Sequence, residues 1–417
     1  NFEGRAFAHT PLASAALEHD DAGSLLFAGV TRRTPNDADA QLELVRWTPT
    51  VDPVALAGDG RFDPRALAVR ADDPVTLAIG VRPPESDAVS VTAGESVVPS
   101  APLIESIGRG DDTVHRIAHA PRYDRWYVAW ASGELSRCNA SADNCVALPL
   151  LRRPDIGDAG DIHDVRVVAD RVVATSFDGH VWVFDDDAAS DAPIAPFAVS
   201  RDRNHQSIAS AALGQAGGID YVVIGTRGPV MGRGCITVFR LDQRAADAPL
   251  EIDCQANADN AFPMENLSSL AKINWIDAHG DAIAAAYNGG LQFLRLSMDA
   301  PGTINIAAMG ADGGARADLK GRRTEKYWKI AHVGQSEGRD VWAAVSGRAV
   351  MSLWLTNGQG PFYTIPAPSH PERLTNRNAI LDFTHHCDST QRCQFFFAST
   401  KRGVYRHALT LSSQRPD

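Results

Sequence analysis

The stretch Ile162 to Ser200, IHDVRVVADRVVATSFDGHVWVFDDDAASDAPIAPFAVS, restricts the fold of this chain more than any other. It holds four short apolar runs, DVRVVAD, RVVATS, HVWVFD and IAPFAVS. They are separated by Asp170-Arg171, by the turn Phe177-Asp178-Gly179-His180, and by the acidic loop Asp185 to Asp191. Asp-Gly between alternating apolar runs is the strongest short hairpin signal, because glycine accepts the positive φ that a tight turn needs. The stretch therefore predicts a four-stranded antiparallel meander. One such sheet cannot bury both of its faces alone, so it needs neighbours of its own kind.

The chain supplies them. With Ile162 to Ser200 as template, comparable sets of runs fall at 12–47, 65–94, 114–138, 207–242, 273–297, 327–356 and 379–409, a recurrence of about 45 to 60 residues. No convincing stretch of 3.6-residue apolar periodicity separates them. The expectation is an all-β chain forming a single β-propeller over 1–417, with eight blades of four antiparallel strands at about 12–62, 63–113, 114–161, 162–204, 205–271, 272–325, 326–377 and 378–417 plus 1–11. Seven blades is the alternative if the first or second copy, both poor in aromatic residues, is an embellishment. The last copy stops near Thr410, so the N-terminal stretch Arg5 to Ala8 is expected to add the outer strand of the last blade and close the ring.

Val181-Trp182-Val183-Phe184-Asp185 stands where a WD40 repeat carries its third strand and Trp-Asp, and the four-run unit resembles the blades of the WD40-like and quinoprotein-like β-propeller superfamilies. The resemblance covers essentially the whole chain. Phe184-Asp185 replaces Trp-Asp, Gly-His is absent from the other units, and the tryptophan-docking repeat of quinoprotein dehydrogenases is missing. It implies a fold and transfers no catalytic residue.

A net charge of -11, with basic residues scattered singly apart from Lys320-Gly321-Arg322-Arg323, excludes the concentrated positive face of a nucleic-acid binder. No apolar run approaches the roughly 18 residues that cross a bilayer. The six cysteines fall as three local pairs, Cys138/Cys145, Cys235/Cys254 and Cys387/Cys393, without CxxC or CxxCH. Three short disulfides in an oxidising compartment, periplasm, cell surface or medium, are expected. Asn139-Ala140-Ser141 and Asn266-Leu267-Ser268 fit the glycosylation sequon. Peripheral membrane association, through a partner or an anchor removed on export, is compatible with this reading.

In a propeller the first strand of each blade lines the central channel. Its start is occupied in successive copies by His115, His163, His205, Asn274, Trp328 and Asn378, with Arg116, Asp164 and Gln206 alongside. His115, His163 and His205 could together hold zinc or copper, with Asp164 orienting one ring. A divalent metal there is the one cofactor the sequence leaves open; polar residues facing a wet channel are the simpler account. At the far ends of the same strands lie His19, His119, His279, His332 and His386, read as a shared turn contact. Asp185-Asp186-Asp187 lacks the spacing of a calcium loop. Neither GxxxxGK[ST] nor HExxH occurs, and no Gly-x-Ser-x-Gly sits in a strand-turn-helix setting. Trp126, Tyr127, Trp130, Trp182, Phe184, Trp342, Trp354 and Phe395 to Phe397 fall inside expected strands and read as core. The long connections are Val81 to Ser106, Leu148 to Asp161, Ala245 to Lys272 and Gly310 to Arg323; the last, Gly-rich and basic, reads first as a mobile solvated insertion and otherwise as a docking segment for an acidic partner.

Together these features point to a non-enzymatic, exported scaffold that presents one face of a ring to a protein partner in an envelope or surface assembly. The alternatives are a propeller hydrolase, lyase or metal-binding protein using the channel histidines, and a carbohydrate-binding propeller.

Overall fold

The computed structural model describes residues 15–19, 25–31, 41–47, 54–57, 64–71, 76–81, 103–107, 112–141, 144–153, 161–187, 191–200, 207–227, 234–243, 248–253, 260–263, 272–299, 303–309, 326–336, 339–346, 350–356, 363–366, 380–389, 391–399 and 403–411. The chain divides into two compact units, Asn1–Asp52 and Pro53–Asp417. In the first, β1 (Ala15–His19), β2 (Leu25–Thr31) and β3 (Gln41–Trp47) form an antiparallel three-stranded sheet.

The second unit is all-β, and six of its sheets are blades arranged as a β-propeller ring. It opens with β4 (Val54–Ala57), followed by β5 (Pro64–Arg70), β6 (Thr76–Val81) and β7 (Leu103–Ile107). Next come β8 (Val114–Ala120), β9 (Arg125–Trp130), β10 (Leu135–Cys138) and β11 (Cys145–Ala147). The template stretch gives β12 (Ile162–Val168), β13 (Arg171–Ser176), β14 (His180–Asp185) and β15 (Ala198–Ser200), the four runs anticipated for it. The following blade has β16 (Ile208–Ala216), β17 (Ile219–Thr226) and β18 (Cys235–Arg240); the connection after it yields β19 (Leu250–Ile252) and β20 (Ala261–Pro263). β20 completes its own blade on β18, while β19 adds to the preceding one, parallel to β15. The remaining blades are β21 (Ile273–His279), β22 (Ala282–Tyr287), β23 (Gly290–Asp299) and β24 (Thr303–Ala308), then β25 (Tyr327–Ser336), β26 (Arg339–Ser346), β27 (Val350–Leu355) and β28 (Tyr363–Pro366). Last come β29 (Ile380–Cys387), β30 (Arg392–Ser399) and β31 (Gly403–Thr410), with β4 pairing on β31.

Three sequence expectations change here. The outer strand of the last blade is β4, so closure is made by Val54–Ala57; Arg5 to Ala8 lie outside the described residues. The stretch 12–62 is therefore not one blade, because it contributes the sheet β1–β3 and, separately, β4. The third strand after β6 is Leu103–Ile107, inside what read as a long loop, and it pairs parallel to β6. Parallel pairing needs a long crossover and leaves no hairpin signal between the two strands.

The core sits between the blades. Each apolar cluster is built from two neighbouring sheets: Trp126 and Trp130 with β5 and β6 residues, Tyr127 with Trp182, Phe293 with Trp342, and Phe395 and Phe397 with Met351 and Leu353. All the aromatic residues that the sequence reading placed in strands are buried, so none offers a surface platform for sugar. Burial of each such side chain contributes about 1.5–3 kcal/mol. Two disulfides are formed as anticipated, Cys138–Cys145 across β10 and β11 and Cys387–Cys393 across β29 and β30. The Cys235–Cys254 pairing lies outside the described residues. Among the described residues no helix is long and apolar enough to cross a membrane.

Candidate functional site

The inner strands share one irregularity. Pairing between β5, β8, β12, β16, β21, β25 or β29 and the next strand slips by one residue just after the first pair, at Pro64/Ala66, Val114/Arg116, Ile162/Asp164, Ile208/Ser210, Ile273/Trp275, Tyr327/Lys329 and Ile380/Asp382. Such a bulge inserts an unpaired residue and re-aims its side chain. The residues in that place are Arg65, His115, His163, Ala209, Asn274, Trp328 and Leu381. The sequence reading thus found His115, His163, Asn274 and Trp328 at a truly equivalent position. Its other two assignments are displaced: Ala209, four residues beyond His205, occupies the place given to His205, and Leu381 the place given to Asn378. His205 and Asn378 lie outside the described residues.

At three of the bulges the side chain ties one blade to the next. The His163 ring nitrogen Nε2 is 2.7 Å from the Ala209 carbonyl oxygen, Asn274 Nδ2 donates to the Tyr327 carbonyl at 2.7 Å, and the His115 ring bonds to the backbone of Ile162. Each contact reaches the first strand of the following blade. His163 also stacks on Phe177 at 3.8 Å, and burial holds its pKa down at about 4, against the opposing pull of Asp164. Burial also lowers the His115 pKa, with Arg116 adding to the effect. His163 has thus spent one nitrogen on a carbonyl; among the described residues the groups able to share a metal do not include it or His115.

Residues one and three places beyond the bulge meet counterparts from other blades across the axis. Arg116, Arg166 and Lys329 stand 4.7, 4.4 and 4.9 Å from the centre of the Trp275 ring. Arg116 and Trp275 belong to blades separated by two others, so this contact spans the channel. Asp164 Oδ2 accepts from Ser210 Oγ at 2.8 Å and from Arg166 Nε at 3.2 Å, and Arg166 donates onward to Asp277 at 2.9 Å. Lys329 donates to Asp382 Oδ1 and to the Phe383 carbonyl, while Asp382 Oδ2 accepts from the Leu67 backbone N–H at 2.9 Å. Burial lowers the Lys329 pKa against the opposing pull of Asp382. Three cations and three carboxylates (Asp164, Asp277, Asp382) thus surround one indole; Arg166 and Lys329 pair with carboxylates of other blades, while Arg116 lies on the indole and donates to the His115 carbonyl of its own strand. A buried charge survives only when paired in this way.

The face where the inner strands begin has a different balance. Arg227 follows β17, Lys272 precedes β21 and Lys326 precedes β25, which brings all three to the same end of the ring. Arg227 lies over the Phe177 ring at 4.9 Å and Lys326 over the Trp328 ring at 3.5 Å. Among the described residues none of the three has a carboxylate partner, and Arg227 Nε is buried without a hydrogen-bond acceptor. Burial lowers the Lys326 pKa, and the charges of Arg227 and Lys272 lower it further. Trp328, 39% exposed, is the most accessible large side chain of this group. Sequence reasoning missed the cluster because its members come from three separate connections.

The same face carries the template turn. Gly179 takes φ 101°, as the Asp-Gly signal requires. Asp178 accepts from Ser176 Oγ, from His180 Nδ1 at 3.0 Å and from Arg152 at 2.6 Å. His180 Nε2 accepts from the Arg153 N–H at 2.9 Å. Burial would raise the Asp178 pKa, but these donors hold it at about 2. Ser, His and Asp meet here with the carboxylate in the middle and His180 fully buried, so the trio locks a turn and has no nucleophile aimed at solvent. No protein-family model matches the chain, and no curated protein matches it.

Proposed function

We propose that this chain is an exported, disulfide-clipped scaffold of seven blades that binds an acidic segment of a protein partner on the face where the inner strands begin. The seventh blade in this reading is β5–β7, since β5 packs against β8 on one side and β29 on the other, and residues 1–52 are an added unit. The observation that carries the function is the convergence of Arg227, Lys272 and Lys326, none of which has a carboxylate partner among the described residues. In a chain of net charge -11 such a cluster repels itself unless an anion is supplied. Trp328 and Phe177 add apolar area between the cations, the composition of an interface hot spot. The filled channel supports a scaffold, because its polar groups join blades to one another. Short disulfides at Cys138–Cys145 and Cys387–Cys393 favour an extracytoplasmic location.

A labelled oligoglutamate peptide titrated with the purified chain tests the site. Binding should weaken as salt rises, and the triple variant Arg227→Glu, Lys272→Glu, Lys326→Glu should bind at least about tenfold more weakly. Equal affinity for both chains would contradict the proposal.

A further inference from the structure

At the opposite ends of the inner strands, two blades bring together His279, His332 and Asp340. From them we infer a divalent transition-metal site, of the zinc or copper class, with two imidazole nitrogens and one carboxylate oxygen as ligands. His279 ends β21, His332 lies in β25 and Asp340 opens β26 beside it. One ligand atom from each lies within 4.8 Å of the others. The two rings are parallel, 3.7 Å apart, and His332 Nε2 is 3.2 Å from Asp340 Oδ1. Two cis ligands bound at about 2.1 Å to a tetrahedral or octahedral centre are themselves about 3.0–3.4 Å apart, so an ion fits between His332 Nε2 and Asp340 Oδ1 at their present spacing; the exposed His279 ring must turn out of the stack to aim its lone pair at the same ion. Two imidazoles with a carboxylate suit zinc, copper or nickel; calcium and magnesium prefer all-oxygen sets.

A second feature is local to this place. β25 carries a second slip of register, between His332 and Gly334, where the other inner strands carry one. Gly334 has φ 157°, and the His332 backbone N–H is held by Asp277 Oδ2 at 2.8 Å. This bulge sets His332 toward Asp340, while Gln335 Nε2 supports the same carboxylate oxygen at 3.1 Å. His279 is exposed, so at least one coordination position faces solvent and can take water or a donor from a partner. The ion would link two blades on the face away from the cationic cluster.

The test is calorimetric titration of the metal-stripped full chain with zinc chloride, repeated with nickel chloride, alongside thermal unfolding. Binding of one ion per chain at micromolar concentration is expected, with a rise in Tm that saturates at the same ratio. Asp340→Asn should weaken binding at least about 100-fold. His279→Ala, at an exposed position that the fold tolerates, should do the same, and His119→Ala on a different blade should leave affinity unchanged. An absence of binding below millimolar metal, or binding that survives both His279→Ala and Asp340→Asn, would overturn the assignment.

Discussion

His163 Nε2 meets the carbonyl oxygen of Ala209 at 2.7 Å, so that one bulge residue anchors the bulge of the next blade. Removing the ring removes a buried hydrogen bond and a stack on Phe177, and it leaves the carbonyl without its partner. His163→Ala should cost about 2–4 kcal/mol, read from the midpoint of urea unfolding. His115→Ala, at a more accessible site, should cost less.

The same residue sets a pH dependence. Folded His163 titrates at about 4, against an ordinary value near 6.5, so above that value neither folded nor unfolded chain carries the charge. As pH falls from about 6.5 to about 4 the unfolded chain takes up the proton first, and stability falls by about 3 kcal/mol before levelling. His385, held at about 4 by burial with His332, Lys329 and His386 adding to it, acts in the same direction and window. Denaturant unfolding at pH 7 and pH 4.5 should show the loss, and His163→Phe should show a smaller one.

Lys329 and Asp382 are a buried pair whose members come from neighbouring blades. Asp382→Ala strands the ammonium beside Arg116 and Arg166, and should cost about 3–5 kcal/mol. The double variant Lys329→Met, Asp382→Leu should be much closer to the parent than the single one. Equal losses in the two would show that the pair is not coupled.

Closure by β4 predicts a covalent test. Ala55 lies opposite Tyr405, so the variant Ala55→Cys, Tyr405→Cys should oxidise to an intrachain disulfide, found by peptide mapping. Phe7→Cys with Tyr405→Cys, which probes the closure by Arg5 to Ala8 expected from sequence alone, should not.

The sequence made the blades legible because each repeats a local hairpin, and hairpins announce themselves through turns such as Asp178-Gly179. It also located His115, His163, Asn274 and Trp328 at one equivalent place, since inner strands begin with similar apolar residues. It failed where spacing alone had to set the register: His205 was aligned where Ala209 stands, because loops before the strand vary in length. Pairings between distant segments left no local mark, which is why β4 on β31 and β7 on β6 were not foreseen. The bulge was equally invisible, and with it the role of the following residues, Arg116, Asp164, Trp275, Lys329 and Asp382, which fill the channel. His279 and His332 stand at a recurring strand-end position in the sequence, yet nothing in the sequence places Asp340 beside them.

The proposed function requires that the cationic face meet a protein partner. The measurement is photocrosslinking in the cells that make the protein, with a benzophenone amino acid placed at Trp328 or, as control, at exposed Val168 at the far end of β12. One discrete adduct is expected from position 328, none of the same mass from position 168, and its loss when Arg227, Lys272 and Lys326 are changed to glutamate. No adduct at 328, the same adduct at both positions, or an adduct that survives charge reversal would contradict it.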